Sequence, residues 1–391
     1  MGRRIGLEVS LAISEAVKLA RAQVIAAYPI TPQTHIVEEL AQMVADGDLD
    51  AEFIMVESEH SAMSACCGSA AVGARTYTAT ASQGLALMHE ILFIASGLRL
   101  PMVMTVANRA LSAPLSIWGD HSDIMAERDA GWIQLFAETG QEAFDLTIQA
   151  FKIAEDHRVL TPAIVNLDGF TLSHVVEPIE IESQEDVDAF LPPCEPVVRL
   201  DPDKPVTIGP VGFPEIYTEI KMQQNEALLG SYPVILEVWE EFEKIFGRSY
   251  RPVESYRADD ADTLIYMAGA MAGTARVAVD RMRDEGTKVG LIRTRLWRPY
   301  PFEEMRNAVK GAKVVAVVDR ALSFGGPGGP FCSELRSALY SLPEKPVVAS
   351  YIAGLGGRDI TIDNFKEVVE DAGRVAREGP TVEYKMIGVR E

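Results

Sequence analysis

The sequence predicts an α/β protein of two domains, each with its own largely parallel sheet. Three observations lead there. Through residues 1–170, short runs rich in Val, Ile, Ala and Thr alternate with longer stretches of helical periodicity. Strands separated by helices of this length must cross over and run parallel. The same alternation restarts near residue 258. Between the two, residues 175–205 are acidic and proline-rich (Glu177-Pro178, Leu191-Pro192-Pro193) and read as an excursion or connector. The expected boundaries are 1–250 and 258–391.

In order, apolar residues at helical spacing predict a helix over 7–20, with Ser10, Glu15 and Lys18 turned outward. A short apolar run gives a strand at 24–28, then a helix at 32–44 and a strand at 52–56. Residues 61–73 are small and apolar, a helix able to pack closely against a neighbour. Thr and Tyr make 75–80 strand-like. A helix at 85–96, a strand at 102–106, a helix at 141–155 and a strand at 163–167 complete the first unit. An amphipathic helix is expected over 235–246, ending near Gly247. The second unit has strands at 263–267, 288–294, 313–319 and 347–351, with helices at 274–284, 302–310 and 333–340.

With 391 residues, of which 48% are hydrophobic, the chain can bury a substantial core. Its 36 basic and 57 acidic side chains give a formal charge of −21. A surface that acidic is unsuited to a phosphate backbone, so no nucleic-acid partner is expected. Cys66, Cys67, Cys194 and Cys332 form no C-x-x-C pair, which argues against a cluster or a four-thiolate zinc site. The adjacent Cys66 and Cys67 read as small core residues of their helix, without a redox role. No apolar run reaches membrane-spanning length, and the Met1-Gly2-Arg3-Arg4 start lacks a signal peptide's apolar stretch. A cytoplasmic protein without membrane contact is expected.

Several motifs fall where strands end. Tyr28-Pro29-Ile30-Thr31-Pro32 joins a strand to a helix. It offers Thr31 as N-cap and Pro32 as first helical residue, and it lies at the end of a parallel strand, where ligands collect. Glu57-Ser58-Glu59-His60 puts two carboxylates at the end of a strand read as buried. A buried glutamate can share a proton with a ring nitrogen, whereas the simpler role for Glu59 is to cap the next helix. Thr80-Ala81-Ser82-Gln83-Gly84 reads first as a cap and turn. Arg109, directly after a strand, suits a carboxylate held by two prongs, or else a surface ion pair. The polar and aromatic stretch that follows, to Asp123, is too long for a tight turn and is a candidate active-site loop. Asp120, His121 and Asp123 resemble a metal set but lack further ligands nearby. The glycine-rich 324–330 matches neither a phosphate loop nor a dinucleotide fingerprint and reads as a turn.

Taken together, these blocks resemble the alpha chains of the 2-oxoacid:ferredoxin oxidoreductase family, pyruvate:ferredoxin oxidoreductase in particular. The matching blocks are Tyr-Pro-Ile-Thr-Pro at 28–32, Glu-Ser-Glu-His-Ser-Ala at 57–62, Thr-Ala-Thr-Ala-Ser-Gln-Gly at 78–84, Asn-Arg-Ala-Leu-Ser-Ala-Pro at 108–114 and Trp-Gly-Asp-His-Ser-Asp at 118–123. Asp-Gly-Phe at 168–170 and Ser-His at 173–174 follow. Arg-Leu-Trp-Arg-Pro at 295–299, Val-Asp-Arg at 318–320 and Ala-Gly-Leu-Gly-Gly at 353–357 extend the match through the second unit.

The resemblance implies thiamine diphosphate chemistry: reversible oxidative decarboxylation of pyruvate to acetyl-coenzyme A and CO2, with electrons passed to ferredoxin. It makes the first domain the pyrimidine-binding (PYR) domain and the second a transketolase C-terminal-like domain. It places Glu59 on the cofactor's aminopyrimidine, with Glu57 as the competing carboxylate. Arg109 and Thr31 would bind the substrate carboxylate, and Tyr28 and Pro29 would line the pocket. A neutral hydroxyl at 31 fits a monocarboxylate such as pyruvate; an alpha subunit for 2-oxoisovalerate or another 2-oxoacid is the alternative, and a non-catalytic scaffold subunit a further one. The chain has no Gly-Asp-Gly with a following Asn pair for diphosphate and magnesium, and no clustered cysteines. A beta subunit carrying the diphosphate/Mg site and an iron–sulfur cluster is therefore expected, with gamma and delta subunits, ferredoxin and coenzyme A as further partners.

Overall fold

A computed structural model describes residues 2–390. The first half comprises β1 (Arg3–Glu8), α1 (Val9–Leu19), β2 (Val24–Ala27), α2 (Thr34–Asp46), β3 (Glu52–Met55), α3 (Glu59–Ala71), β4 (Thr76–Thr80), α4 (Ser82–Gly97), β5 (Val103–Asn108), α5 (Ser122–Ala126), β6 (Ile133–Phe136), α6 (Gly140–Glu155) and β7 (Ala163–Asp168). Next come β8 (Val176–Ile181), α7 (Gln184–Phe190) and the long α8 (Pro214–Phe246). The second half holds β9 (Val253–Tyr256), β10 (Thr263–Met267), α9 (Met271–Asp284), β11 (Val289–Thr294), β12 (Leu296–Arg298), α10 (Phe302–Ala308), β13 (Val314–Asp319), α11 (Pro330–Leu339), β14 (Val347–Ile352), α12 (Ile362–Glu378) and β15 (Lys385–Met386).

The predicted α/β class is the observed one. A seven-stranded sheet has the order β12-β6-β7-β5-β4-β2-β3, and a six-stranded sheet β15-β14-β13-β10-β11-β9. Strands β4, β5 and β7 are buried along their whole length. That is why they show no alternation of polar and apolar residues, with β5 and β7 mostly apolar and β4 built mainly from Thr and Tyr: helices cover both faces of a parallel sheet. Helices α1, α2, α6 and the second half of α8 contribute to one core. A second core joins the inner faces of α3 and α4 to the second sheet through Trp132, Phe136, Trp297 and Phe331, so the two halves share it. Helices α9 and α12 close the outer face of the second sheet.

Several expectations are corrected. The helix expected over 7–20 begins at Val9, because Arg3–Glu8 pairs antiparallel with β8 as a separate ribbon. The excursion at 175–205 thus contains both β8 and α7, the latter capped by the Ser183 side chain. Helix α8 starts 21 residues before the expected position 235. Its first half is mostly exposed and so lacks an apolar stripe, and Pro233 inside it mimics a breaker. β6 and β12 have only four and three residues and leave almost no pattern. β12 leaves the second half and pairs antiparallel with β6 at the edge of the first sheet.

Charged groups buried between the halves fasten them. Arg293 and Arg295 are each 1% exposed and both reach Glu142 at 2.8 Å. Burial alone would raise the Glu142 pKa, but the two guanidiniums outweigh it and bring it down to about 2. A carboxyl depressed in the folded state contributes stability above its unfolded value, near 4.5, and loses it as pH falls through the folded value. At 1.36 kcal/mol per unit the contribution is on the order of 3 kcal/mol. The stability gap between the native chain and Glu142→Gln is therefore expected to narrow as pH falls from about 4.5 towards 2. Paired thermal melts across that window measure it, and a gap independent of pH would contradict the assignment.

Candidate active site

In the first sheet the chain moves from β2 outward to β3, then returns to the other side of β2 for β4 and on to β5. The crevice between β2 and β4, at the carboxyl ends of the strands, is therefore the switch point where such sheets bind ligands. The turn after β2, the start of α3 after β3, the end of β4 and the loop after β5 all face this edge.

Residues 28–33 form the first wall. Gln33, fully buried, donates from Nε2 to the Ala79 carbonyl at 2.7 Å and to the Tyr28 carbonyl at 3.3 Å. It staples the turn to β4. This is also why Thr31 is not the helix cap expected of it: α2 begins at Thr34 with Gln33 at the cap position. Thr31 stays in the exposed turn, with Tyr28 and Pro29 at the same open rim.

The two glutamates separate clearly. β3 is a partly exposed edge strand, not the buried one expected. Ser58 caps α3, its Oγ accepting from the Ser61 amide, so capping is not the task of Glu59. Glu57 is exposed, and a hydrogen bond from the Ser61 hydroxyl holds its carboxyl below the ordinary range. Glu59 is the first residue of α3 and is 7% exposed, and its carboxylate makes no hydrogen bond or ion pair with any other described residue. A buried carboxylate without a partner is costly and calls for a ligand.

The surroundings of Glu59 are built to admit something polar. A Cβ placed on Gly84 would sit 2.7 Å from Glu59 Oε1 and 2.5 Å from Thr80 Oγ1. Only glycine leaves room there for the carboxylate beside the start of α4. The Thr80 hydroxyl is itself buried without a partner. Gly84→Ala is expected to destabilise the chain by about 1–3 kcal/mol and to displace Glu59. A melt together with a cofactor-affinity measurement checks this: full affinity and an unchanged melt would contradict the cradle.

Arg109 forms the opposite wall. It is 6% exposed, and its Nε donates to the Ser116 carbonyl and its Nη1 to the Thr31 carbonyl, both at 2.8 Å. Nη2 has no protein partner, and no carboxylate lies within ion-pairing distance, so the surface ion pair considered from sequence is absent among the described residues. Burial pulls its pKa below the ordinary arginine value, opposed by the Asp123 carboxylate. Thr31 and Arg109, expected to act together, are thus joined directly, but through the Thr31 backbone.

Asp123 is the residue whose importance the sequence did not reveal. Its Oδ2 accepts from the amides of Ser82, at 3.0 Å, and Arg109, at 2.9 Å. Its Oδ1 accepts from Asn108 Nδ2 at 3.1 Å. Burial pushes its pKa up to about 7, against these donors. It ties the loop after β5 to the start of α4, where Ser82 has φ of 47°, a left-handed conformation held at a site edge. Asp120 and His121 turn to other work. Asp120 accepts from the Gly356 amide at 2.9 Å. His121 Nε2 donates to Asp168 at 2.9 Å. Burial alone would raise the Asp168 pKa, but Arg320 and His121 beside it hold it well below the usual range. Asp168 also accepts from the Ala270 amide at 2.5 Å. The second half therefore clamps the loop that carries Arg109. The glycine-rich segment is the expected turn, closing between Ser323 and Gly328 ahead of α11.

Residues 15–238 match the family described as pyruvate flavodoxin/ferredoxin oxidoreductase, thiamine diphosphate-binding, and residues 261–365 match pyruvate:ferredoxin oxidoreductase core domain II. The chain is 54% identical over 361 residues to the pyruvate synthase subunit PorA of Methanocaldococcus jannaschii, covering 92% of each chain. It is 48% identical to the PorA of Thermotoga maritima, covering 99% of this chain and 98% of that one. The ketoisovalerate oxidoreductase subunit VorA of Pyrococcus abyssi is 45% identical, covering 94% of this chain and 93% of the relative. The chain belongs to the pyruvate:ferredoxin oxidoreductase family. A solved 2-oxoglutarate:ferredoxin oxidoreductase from Magnetococcus marinus shares the fold, with TM-score 0.69, 20% identity and coverage of 96% of this chain and 65% of that one. A split-gene transketolase superposes with TM-score 0.55 at 12% identity, covering 95% of this chain and 100% of that one. No helix among the described residues is long and apolar enough to cross a membrane.

Proposed function

We propose that this chain is the alpha subunit of a pyruvate:ferredoxin oxidoreductase (pyruvate synthase), and that Glu59 and Arg109 are its catalytic and substrate-binding residues. One observation carries the reading: a carboxylate and a guanidinium, both buried and neither ion-paired, stand at the carboxyl edge of the same sheet. Buried charges are ordinarily paired, so each awaits an external group of complementary chemistry.

The residues fit one half of a thiamine diphosphate site. Glu59, with the Gly84 recess and the Thr80 hydroxyl beside it, would hold the aminopyrimidine end. The bound cofactor supplies a carbon nucleophile and an electron sink for decarboxylation. Glu59 would hold or yield a proton at its carboxyl oxygen, and so set the protonation of the aminopyrimidine when the cofactor is bound. Arg109 offers Nη2 to the substrate carboxylate and keeps its other edge fixed on Ser116 and Thr31, so the keto carbon is oriented before reaction. Tyr28, Pro29 and Thr31 shape the rim, and the second half shields the loop from water.

The other half must come from elsewhere. Magnesium, the diphosphate site and the iron–sulfur clusters are expected on a beta subunit and its partners. Burial raises all four thiols here, Cys67 and Cys332 to about 11 and Cys66 and Cys194 to about 12, which disfavours the thiolates that clusters need. Met55, four residues before Glu59 at the end of β3, and Leu87, one turn past Gly84 on α4, are exposed apolar side chains that suit contact with that subunit. We place the division between the PYR domain and the transketolase C-terminal-like domain at 1–250 and 258–391, and the complex in the cytoplasm, working with gamma and delta subunits, ferredoxin and coenzyme A. Turnover of pyruvate, 2-oxoisovalerate, 2-oxoglutarate and oxalate by the purified complex tests the substrate. Pyruvate is expected to give the highest kcat/KM. A preference for 2-oxoisovalerate would favour the branched-chain reading, which the VorA relative keeps open.

A further inference from the structure

Behind the Thr31 turn lies a second cluster that the reaction does not use. Glu8, His35 and His174 each present one ligand atom, and the three atoms lie within 4.8 Å of one another. Glu8 ends β1, His35 is the second residue of α2, and His174 follows β7. Glu8 Oε1 and His35 Nδ1 are 2.6 Å apart, and the His35 and His174 rings are 4.5 Å apart between centroids.

The backbone around the cluster is pinned. The amides of Val9 and Ser10 donate to the carbonyls of Val175, at 3.1 Å, and Ser173, at 3.0 Å, fixing Glu8 opposite His174. The Ser10 hydroxyl adds a bond to the Ser173 carbonyl at 2.7 Å. The Ser14 hydroxyl donates to the Ile36 carbonyl at 3.1 Å, fixing α2 and His35 to α1. His174 also has an outer partner: its Nδ1 lies 2.7 Å from Ser173 Oγ, which accepts from the Phe170 amide at 2.9 Å. A hydroxyl on one ring nitrogen fixes the ring, as outer partners do in metal sites.

We propose that Glu8, His35 and His174 form a binding site for a divalent first-row cation, zinc foremost, with water completing the coordination. Two imidazoles and one carboxylate are a zinc donor set with an open fourth position. Metal binding requires the imidazoles in their neutral form. The other carboxylate cluster, Glu138, Glu142 and Glu254, does not compete: Arg293 bonds Glu142 and Glu254, and both Arg293 and Arg276 pair with Glu138. A cation at Glu8, His35 and His174 would join β1, α2 and the segment after β7, and so brace the turn carrying Thr31. This inference is independent of the cofactor reading.

The test is calorimetric titration of the chelator-stripped full chain with zinc chloride, with cobalt(II) absorption reporting the coordination. One saturable equivalent is expected. His35→Gln and His174→Ala should each weaken binding at least about tenfold, while His89→Ala, which alters a separate histidine–carboxylate pair, should leave it unchanged. Circular dichroism confirms that each variant is folded, and Glu8→Gln provides a further ligand deletion should one histidine variant fail to fold. Absence of saturable binding, or equal affinity in the ligand variants and the native chain, overturns the site.

Discussion

Replacing Glu59 with glutamine in the assembled complex is expected to lower the kcat of pyruvate-dependent ferredoxin reduction about 100-fold or more, the scale of a lost acid–base group. The amide matches the carboxyl in size, so the Gly84 recess and the start of α3 are kept. What disappears is the ability to hold or give up a proton. Glu57→Gln is the internal comparison: Glu57 is exposed and bonded to Ser61, and its loss should leave kcat within about twofold, as for surface changes generally. Steady-state rates with saturating cofactor separate the two. Near-native activity in Glu59→Gln would remove the central residue of the account.

The second large effect is expected at Arg109. Arg109→Ala should reduce kcat/KM for pyruvate by about 100-fold. The lost charge-assisted hydrogen bonds are worth roughly 1.5–3 kcal/mol, and each 1.4 kcal/mol is a factor of ten. Arg109→Lys should recover only part of this. Lysine keeps the charge but lacks the fork that lets Nε and Nη1 grip Ser116 and Thr31 while Nη2 faces the substrate. The loss should fall mainly on KM if the carboxylate contact is equal in ground and transition states, and on kcat if the contact aligns the keto carbon. The alignment role predicts a kcat effect. Initial rates over a range of pyruvate concentrations distinguish the two, and an unchanged kcat/KM would contradict the binding role altogether.

The sheets were legible because their central strands are buried on both faces and are mostly apolar without alternation, as in Val103–Asn108 and Ala163–Asp168. Elements stabilised by position were not. β12 has three residues and exists because a neighbouring strand edge receives it. The first half of α8 follows no apolar stripe. At the site, Arg109 and Glu59 were legible as charged residues at strand ends, joined to a recognisable series of motifs. Their lack of partners could be learned only from the folded chain. Gln33 and Asp123 were missed because their tasks, stapling a turn and gathering backbone amides, depend on which groups the fold brings within 3 Å. A buried Gln shortly after a strand and an acidic residue in a polar loop are the faint signals that point to them. Thr31 does lie beside Arg109, but through its backbone carbonyl, which accepts from Nη1, rather than through the hydroxyl the sequence singles out.

The most direct measurement is the structure of the assembled complex with thiamine diphosphate and pyruvate bound. A Glu59 carboxyl oxygen is expected within about 2.6–3.2 Å of a pyrimidine ring nitrogen, and Arg109 Nη2 on the pyruvate carboxylate. A cofactor ring held by other groups, with Glu59 turned away or Arg109 bonded only within its own chain, would contradict that arrangement.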